Sequence, residues 1–322
     1  MSLILKTEES LAPHAYVLWT PPEAPVVHVG PEQKPVTLPM IPLPLHRAKI
    51  EGETPSPVEI GQGVYDYLRQ FPDCPFNVQY AEILRDAYPH FLADLGSQIA
   101  MLDHKDVDAD YVKRKITYLK IFALLEPDKA SLLQTIGMAF YDLALTFSEL
   151  AHCYRHLVSA AAFLQKADNL KPGEPATQNY LGQIDYLMGD YPGAIRRWSQ
   201  LIPSLGDDKA QALFREKVAR LEQEGLPEEP MISHLEAIGA AMAAYGQGSI
   251  HEALEIMEYL EEQTPVPQEF PSAQFYVLLA LCRRQTGDTG GAIVALQNAL
   301  QVDPDFAPAK EEMEALTTKE TI

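Results

Sequence analysis

Two imidazoles, His152 and His156, stand four residues apart with a thiol, Cys153, between them. On a helix that spacing puts both rings on one face, where they could share a divalent metal ion. A metal site needs further nitrogen, sulfur or carboxylate ligands, and the neighbouring sequence supplies no recognisable one, so helix-surface histidines are the simpler reading. Gly61-Gln62-Gly63 has two glycines of a dinucleotide loop but lacks the third glycine and the strand and helix that must flank it. Asp103-His104-Lys105-Asp106 gathers an acid, a base and a cation suited to proton transfer, but in an expected inter-helix loop. Cys74, Cys153 and Cys282 lack the basic neighbours that would lower a thiol's pKa. Being odd in number and far apart, they also argue against a disulfide framework. The residues therefore point to no catalytic group, metal site or cofactor, and a non-catalytic protein in a reducing, cytoplasmic setting is expected.

Charge narrows the partners. The 322 residues carry a formal net charge of −20 and a pI near 4.8, which repels phosphate backbones and excludes general nucleic-acid binding. No lysine or arginine lies between Arg220 and Arg283, whereas Glu252, Glu255, Glu258 and Glu262 recur there at helical spacing. That acidic stretch, residues 221–282, is either a solvated face or a surface for a basic partner, and salt-sensitive binding separates the two. The apolar stretches Ala237–Tyr245 and Phe275–Cys282 are too short to span a bilayer. Met1–Trp19 lacks a basic start followed by a long apolar run, so no secretory signal is expected.

The elements that would position any site are announced by four alanines, Ala160, Ala194, Ala253 and Ala292. Twelve residues before each stands a small residue: Ser148, Gly182, Ala241 or Ala280. Four residues after each stands a large apolar one: Leu164, Trp198, Met257 or Leu296. Pro172, Gly206, Pro265 or Pro304 follows twelve after. The first two alanines are 194 − 160 = 34 residues apart. Such a period, with helical spacing inside each unit, predicts stacked helix pairs whose small residues let the backbones approach closely. Gly-Asp turns and terminal prolines would reverse and stop the helices. Ser233-x-x-Glu236 and Ser249-x-x-Glu252 read as capping boxes, and Pro192 after Asp190 suits a first helical turn.

This frame resembles the tetratricopeptide repeat family. The last repeat matches best, with Tyr276, Leu279, Ala280, Gly287-Asp288, Ala292, Leu296, Ala299 and Asp303-Pro304. The second carries Leu181-Gly182, Gly189-Asp190-Tyr191, Ala194 and Trp198, and the third Ala241, Gly248, Ala253, Met257 and Pro265. The first departs, with Arg155 where the turn glycine belongs. The matches cover roughly residues 141–206 and 234–306. The expected fold is all-α, a helix-pair solenoid of such repeats with a proline-rich extended N-terminal arm.

Four segments are expected: an arm over 1–58, a helical region or degenerate repeat over 59–130, repeats with a capping helix over 131–224, and repeats with a C-terminal cap over 231–318. The arm, with Pro13, Pro21, Pro22, Pro25, Pro31 and others, cannot be helical; its apolar Tyr16–Trp19 and Val26-Val27 suggest extended chain, with short strands, packed along the solenoid or a neighbouring subunit. Helices are expected over Val58–Arg69, Gln79–Met101 and Asp108–Leu125, and one long helix over Ser131–Arg155. The gap of 253 − 194 = 59 residues leaves room for an amphipathic capping helix, Asp207–Gln223, with Leu213, Phe214, Val218 and Leu221 on one face. A second cap is expected near Ala307–Leu316, and the two repeat pairs would meet at residues 225–230.

The resemblance implies a concave surface lined by first-helix residues. These are Asn179, Gln183 and Tyr186 in the second repeat, and Ile238, Met242 and Tyr245 in the third together with Leu235. The fourth contributes Gln274, Val277, Leu281 and Arg284. One arginine and one asparagine are too few for the clamp by which some members of the family grip terminal carboxylates. The implied role is a scaffold or adaptor that binds a protein or peptide partner, basic or amphipathic. The alternative is a homo-oligomeric assembly protein whose arm crosses to a second subunit.

Overall fold

Among the described residues of the N-terminal segment, Tyr16–Trp19 and Val26–Val29 become strands, a 3-10 turn follows at Arg47–Lys49, and the first α-helix begins at Pro57. In the computed structural model, which describes residues 15–30, 32–49, 55–102, 108–223 and 229–319, the chain divides into two units, 1–132 and 133–322.

In the first unit β1 (Tyr16–Trp19) runs antiparallel to β4 (Leu43–His46), with Tyr16 opposite His46 and Trp19 opposite Leu43. β2 (Val26–Val29) pairs with β3 (Lys34–Thr37) in the same sense. All four β4 residues are buried, because the strand lies on α1 (Pro57–Gln70). Gly63 makes that possible: a Cβ there would stand 2.1 Å from the Pro44 carbonyl oxygen. Gly61 likewise receives the Tyr88 ring. The glycines of Gly61-Gln62-Gly63 are thus packing positions inside a helix. Ser56 and Glu59 form a reciprocal capping box at the start of α1 that the sequence reading passed over. The expected helix over Gln79–Met101 is broken into α2 (Asn77–Ala87) and α3 (Pro89–Leu102). Pro89 disfavours helical geometry at the residue before it, and Tyr88 takes φ −135°, ψ 53°. α4 (Ala109–Leu125) completes a core built on Leu43, Leu45, Leu68, Tyr80 and Ile121. Within this unit β4 is seated on α1 and β2 touches α2.

The second unit is a series of helix pairs. The first is α5 (Ala130–Ala144) with α6 (Cys153–Leu170), joined through a 3-10 turn, Phe147–His152. Then come α7 (Pro175–Leu187) with α8 (Tyr191–Leu201), α10 (Met231–Gly246) with α11 (Ile250–Gln263), and α13 (Ala273–Gln285) with α14 (Thr289–Val302). α9 (Asp208–Gln223) caps the second pair, α15 (Ala307–Lys319) caps the last, and a short α12 (Val266–Glu269) interrupts the α11–α13 connector.

Ala160, Ala194, Ala253 and Ala292 are all fully buried in the seams. Gly182 faces Trp198, where a Cβ would come within 2.5 Å of the indole nitrogen. Gly189, Gly248 and Gly287 turn the pairs at φ 86°, 84° and 91°, a left-handed backbone that other residues rarely adopt. Asp190 and Asp288 then cap the returning helices by accepting from the Gly193 and Gly291 amides, contacts worth about 1 kcal/mol each.

Several expectations are corrected. Residues 131–155 do not form one helix: α5 turns by 104° into the segment Phe147–Leu170, and Ser148 sits exposed in the 3-10 turn. The close-approach residue of the first pair is Gly137, whose Cβ would stand 2.5 Å from Leu164 Cγ. Ser233 lies inside α10, whose N-cap is Pro230, and Ser249 caps α11 without a side-chain bond, so neither expected capping box forms. On α9, Phe214, Val218 and Leu221 pack inward, but Leu213 is about half exposed because it lies about 100° around the helix from Phe214.

α10 does not simply continue the stack beyond the cap α9. It lies chiefly on the 3-10 turn and α6 of the first pair, where a Cβ on Gly239 would meet the Ala151 amide nitrogen at 2.4 Å. Glu236 accepts from the Tyr154 amide at 3.1 Å across the same junction. One core then runs from Leu157 and Leu164 through Leu235 and Ile238 to Phe275 and Leu296, while Trp198, Leu201, Val218 and Leu221 form a smaller one beneath α9. Residues 225–228, part of the expected meeting point, fall outside the described residues, as do Asp103–Asp106. Among the described residues no single helix is long and apolar enough to cross a membrane.

Candidate functional site

Because α10 docks on the first pair, the inner faces of α5 and α7 are left looking across a gap at α9, α10 and the α11–α13 connector. The gap is a cleft of about 300 Å³. α5 contributes Tyr141, Leu145 follows just past its end, and α7 contributes Gln183, Tyr186 and Leu187. Trp198 of α8 forms part of the wall, and Met231 and Leu235 of α10 add apolar surface. Opposite them stand Lys217 and Arg220 of α9 and the connector residues Gln268, Glu269 and Phe270.

The polar groups are tied in a definite order. Tyr141 donates its hydroxyl to Gln183 Oε1 at 2.6 Å, which fixes the amide against the α5 wall. Tyr186 donates to Glu269 Oε2 at 2.5 Å, and Arg220 reaches the other oxygen of that carboxylate at 3.4 Å. Burial, with the adjoining Glu269 carboxylate, pushes the Tyr186 phenol well above its ordinary pKa. The phenol is therefore a donor across the neutral range. Lys217 holds its ammonium 5.6 Å from the centre of the Trp198 ring and 5.8 Å from that of Phe214. Burial, then the neighbouring Arg220 charge, lowers its pKa, with Glu269 opposing. The Trp198 indole nitrogen is buried against Gly182, with no hydrogen-bond partner among the described residues.

Of the positions implied by the resemblance, Gln183 and Tyr186 line this cleft. Asn179 precedes them on the same helix, its side-chain oxygen buried with no partner among the described residues. Ile238 is fully buried and Val277 nearly so, both inside the core rather than on an open groove. Met242, Tyr245 and Leu281 are half-buried against that core, and the Tyr245 hydroxyl accepts from Gln285 at 2.7 Å, tying α10 to α13. Arg284 pairs with Glu312 of the C-terminal cap, and exposed Gln274 accepts from Ser272 at 3.0 Å.

Lys217, Arg220, Trp198, Glu269 and Phe270 were not foreseen at the site. A signal for the connector was present: Ala253 and Ala292 are 292 − 253 = 39 residues apart, five more than the 34 of the first interval. That excess falls among Pro265, Pro267 and Pro271, where α12 forms. The two arginines that bound the acidic stretch turn inward upon it, Arg220 on Glu269 and Arg283 on Glu258 and Glu261.

The residues first considered for chemistry have structural surroundings. His156 is buried with Nε2 3.1 Å from Glu149 Oε2, while His152 is exposed, its ring centre 6.3 Å from that of His156. Among the described residues no three histidine, cysteine or acidic side chains are grouped to hold a metal ion. Burial pushes the Cys153 thiol up to about 12 and those of Cys74 and Cys282 to about 11.

No family model and no curated protein sequence matches the chain. Among solved structures it is similar to a tetratricopeptide repeat protein from Parabacteroides merdae, at 13% identity over 81% of this chain and 92% of that one, with a TM-score of 0.28. It is also similar to the TPR domain of P58(IPK), at 17% identity over 82% and 65% of the two chains and a TM-score of 0.34. The Cut9–Hcn1 hetero-tetramer of the APC/C gives 13% identity over 81% and 52%, with a TM-score of 0.27. The fold is read from the chain's own helices: small-residue seams, left-handed glycine turns and capping aspartates make residues 130–319 an all-α solenoid of tetratricopeptide-like repeats.

Proposed function

We propose that the repeats act as a non-catalytic interaction scaffold that holds a protein or peptide partner in the cleft between α5, α7, α9 and the α11–α13 connector. The carrying observation is the cleft itself: about 300 Å³ walled by Tyr141, Tyr186, Trp198 and Phe270, with a few fixed polar groups among them. Concave, aromatic-lined surfaces with sparse convergent polar atoms suit the anchor side chains of a peptide. The raised thiol pKa values and the Glu149-bound His156 favour binding over chemistry. The net charge of −20 disfavours nucleic acid as the partner, and three free cysteines suit a reducing, cytoplasmic home. Assembly by an exchanged arm has less support, because β4 is already seated on α1 with β1 paired to it.

Affinity capture from native lysate tests the assignment. Tyr186→Ala with Leu187→Ala removes two walls of the cleft and is expected to abolish capture of the partner. Tyr245→Ala with Leu281→Ala, outside the cleft, is expected to spare it. The reverse pattern moves the site to the third and fourth repeats, and indifference to both pairs overturns the reading.

A further inference from the structure

The connector between α11 and α13 does more than join two helices. Val266 is fully buried, and Phe270 donates its amide to the Val266 carbonyl at 2.9 Å and packs on the core. Between them Glu269 projects into the cleft, where Tyr186 and Arg220 grip its carboxylate. Tyr186 lies 83 residues before Glu269 in sequence, so the segment Gln268–Phe270 is seated on the inner face of a different repeat. An acid followed by an aromatic ring, held by a phenol, a guanidinium and apolar walls, is how a short peptide would sit there.

The seat is not fully used. Lys217 lines the same cleft half-buried, and among the described residues no carboxylate lies within ion-pair distance of it. A partly desolvated ammonium that Glu269 influences from beyond ion-pair distance is unfavourably placed, and a second carboxylate delivered there would gain from it. The cleft still holds about 300 Å³ of space beside Glu269.

We infer that the cleft recognises a peptide segment in which an acidic residue precedes a large aromatic one, and that Gln268–Phe270 is the chain's own occupant, displaced when the partner binds. The partner's carboxylate bridges Lys217 and Arg220, and its ring takes the wall that Phe270 now covers. This deepens the scaffold reading and rests on it. It also gives the partner an acidic anchor, in place of the basic character that the sequence suggested, because Lys217 and Arg220, which precede the glutamate-rich stretch, face this cleft.

The test uses the full chain and a fluorescein-labelled peptide copying the connector, Val-Pro-Gln-Glu-Phe-Pro with blocked ends, followed by anisotropy. Wild type is expected to bind weakly, because the site is self-occupied. Glu269→Gln combined with Phe270→Ala releases the internal segment and is expected to tighten binding about tenfold or more, by raising the open fraction. Glu269→Gln alone, nearly isosteric, is expected to tighten it by a smaller factor, and carries the test if the double variant loses its helical circular dichroism. Adding Lys217→Met, or replacing the peptide's glutamate with glutamine, is expected to return binding to the wild-type level. Equal affinity for wild type and both variants, no binding to any of them, or indifference to Lys217→Met overturns the inference. Should capture of a cellular partner still depend on Tyr186 and Leu187 while the peptide fails, displacement is wrong and the scaffold reading stands.

Discussion

Single carbon atoms decide how the repeats meet. Gly239 has the Ala151 amide nitrogen and Cα within 2.4–2.5 Å of where a Cβ would stand, and backbone atoms cannot step aside as a side chain can. Gly246, at the other end of the same helix, faces open space. Gly239→Ala is expected to lower stability by about 1–3 kcal/mol through overpacking. Gly246→Ala is expected to leave it unchanged or slightly raised, through the lower chain entropy of the unfolded state. Urea titration of the two variants checks this, and equal losses would contradict the docking of α10 on the first pair. The sequence showed Gly182 as a seam residue because its partner follows in the next helix. It could not show Gly239, whose partner lies 239 − 151 = 88 residues earlier.

The 3-10 turn and α6 form the element that departs most from a plain repeat. Glu149 in the turn and His156 in the first turns of α6 meet in a buried pair, so the junction carrying α10 also carries a titratable ring. Burial is the largest influence on His156 and lowers its pKa below the ordinary 6.5, with the Glu149 hydrogen bond opposing. The unfolded chain therefore takes up this proton first as pH falls. The stability due to the neutral ring is present above about pH 6.5 and is lost as pH drops through the lowered pKa, by up to about 1.4 kcal/mol per pH unit. His156→Gln keeps a donor for Glu149 but does not titrate. Its stability is expected to fall less than that of wild type between pH 7 and pH 5 in parallel denaturant titrations. Wild type and variant falling in parallel would remove His156 from the account. From the sequence this stretch is expected to belong to one long helix over Ser131–Arg155. The break follows Leu145, where Thr146 adopts extended geometry.

At the scale of the whole molecule, the largest cores of the described residues belong to different units, one built on Leu68, Tyr80 and Ile121 and the other running from Leu157 to Leu296. Units with separate cores are expected to unfold as separate cooperative steps. Leu68→Ala and Leu260→Ala, each fully buried in a different core, should cost about 2–5 kcal/mol apiece and shift different calorimetric transitions. A single transition moved alike by both would show one cooperative unit instead.

What the sequence determined by itself was what neighbouring residues decide together. Helical period, glycine–aspartate turns, capping aspartates and alanine seams are short-range properties, set by backbone sterics and by side chains one or two helical turns apart. The same logic identified the α9 and α15 caps. Only the tertiary structure decided that β4 seats on α1 through Gly63, that α10 returns to Ala151, and that Glu269 reaches Tyr186 and Arg220. Those contacts join residues 19 to 88 positions apart (63 − 44 = 19; 239 − 151 = 88). Their partners are chosen by close packing and charge neutralisation in three dimensions, which no local pattern along the chain encodes.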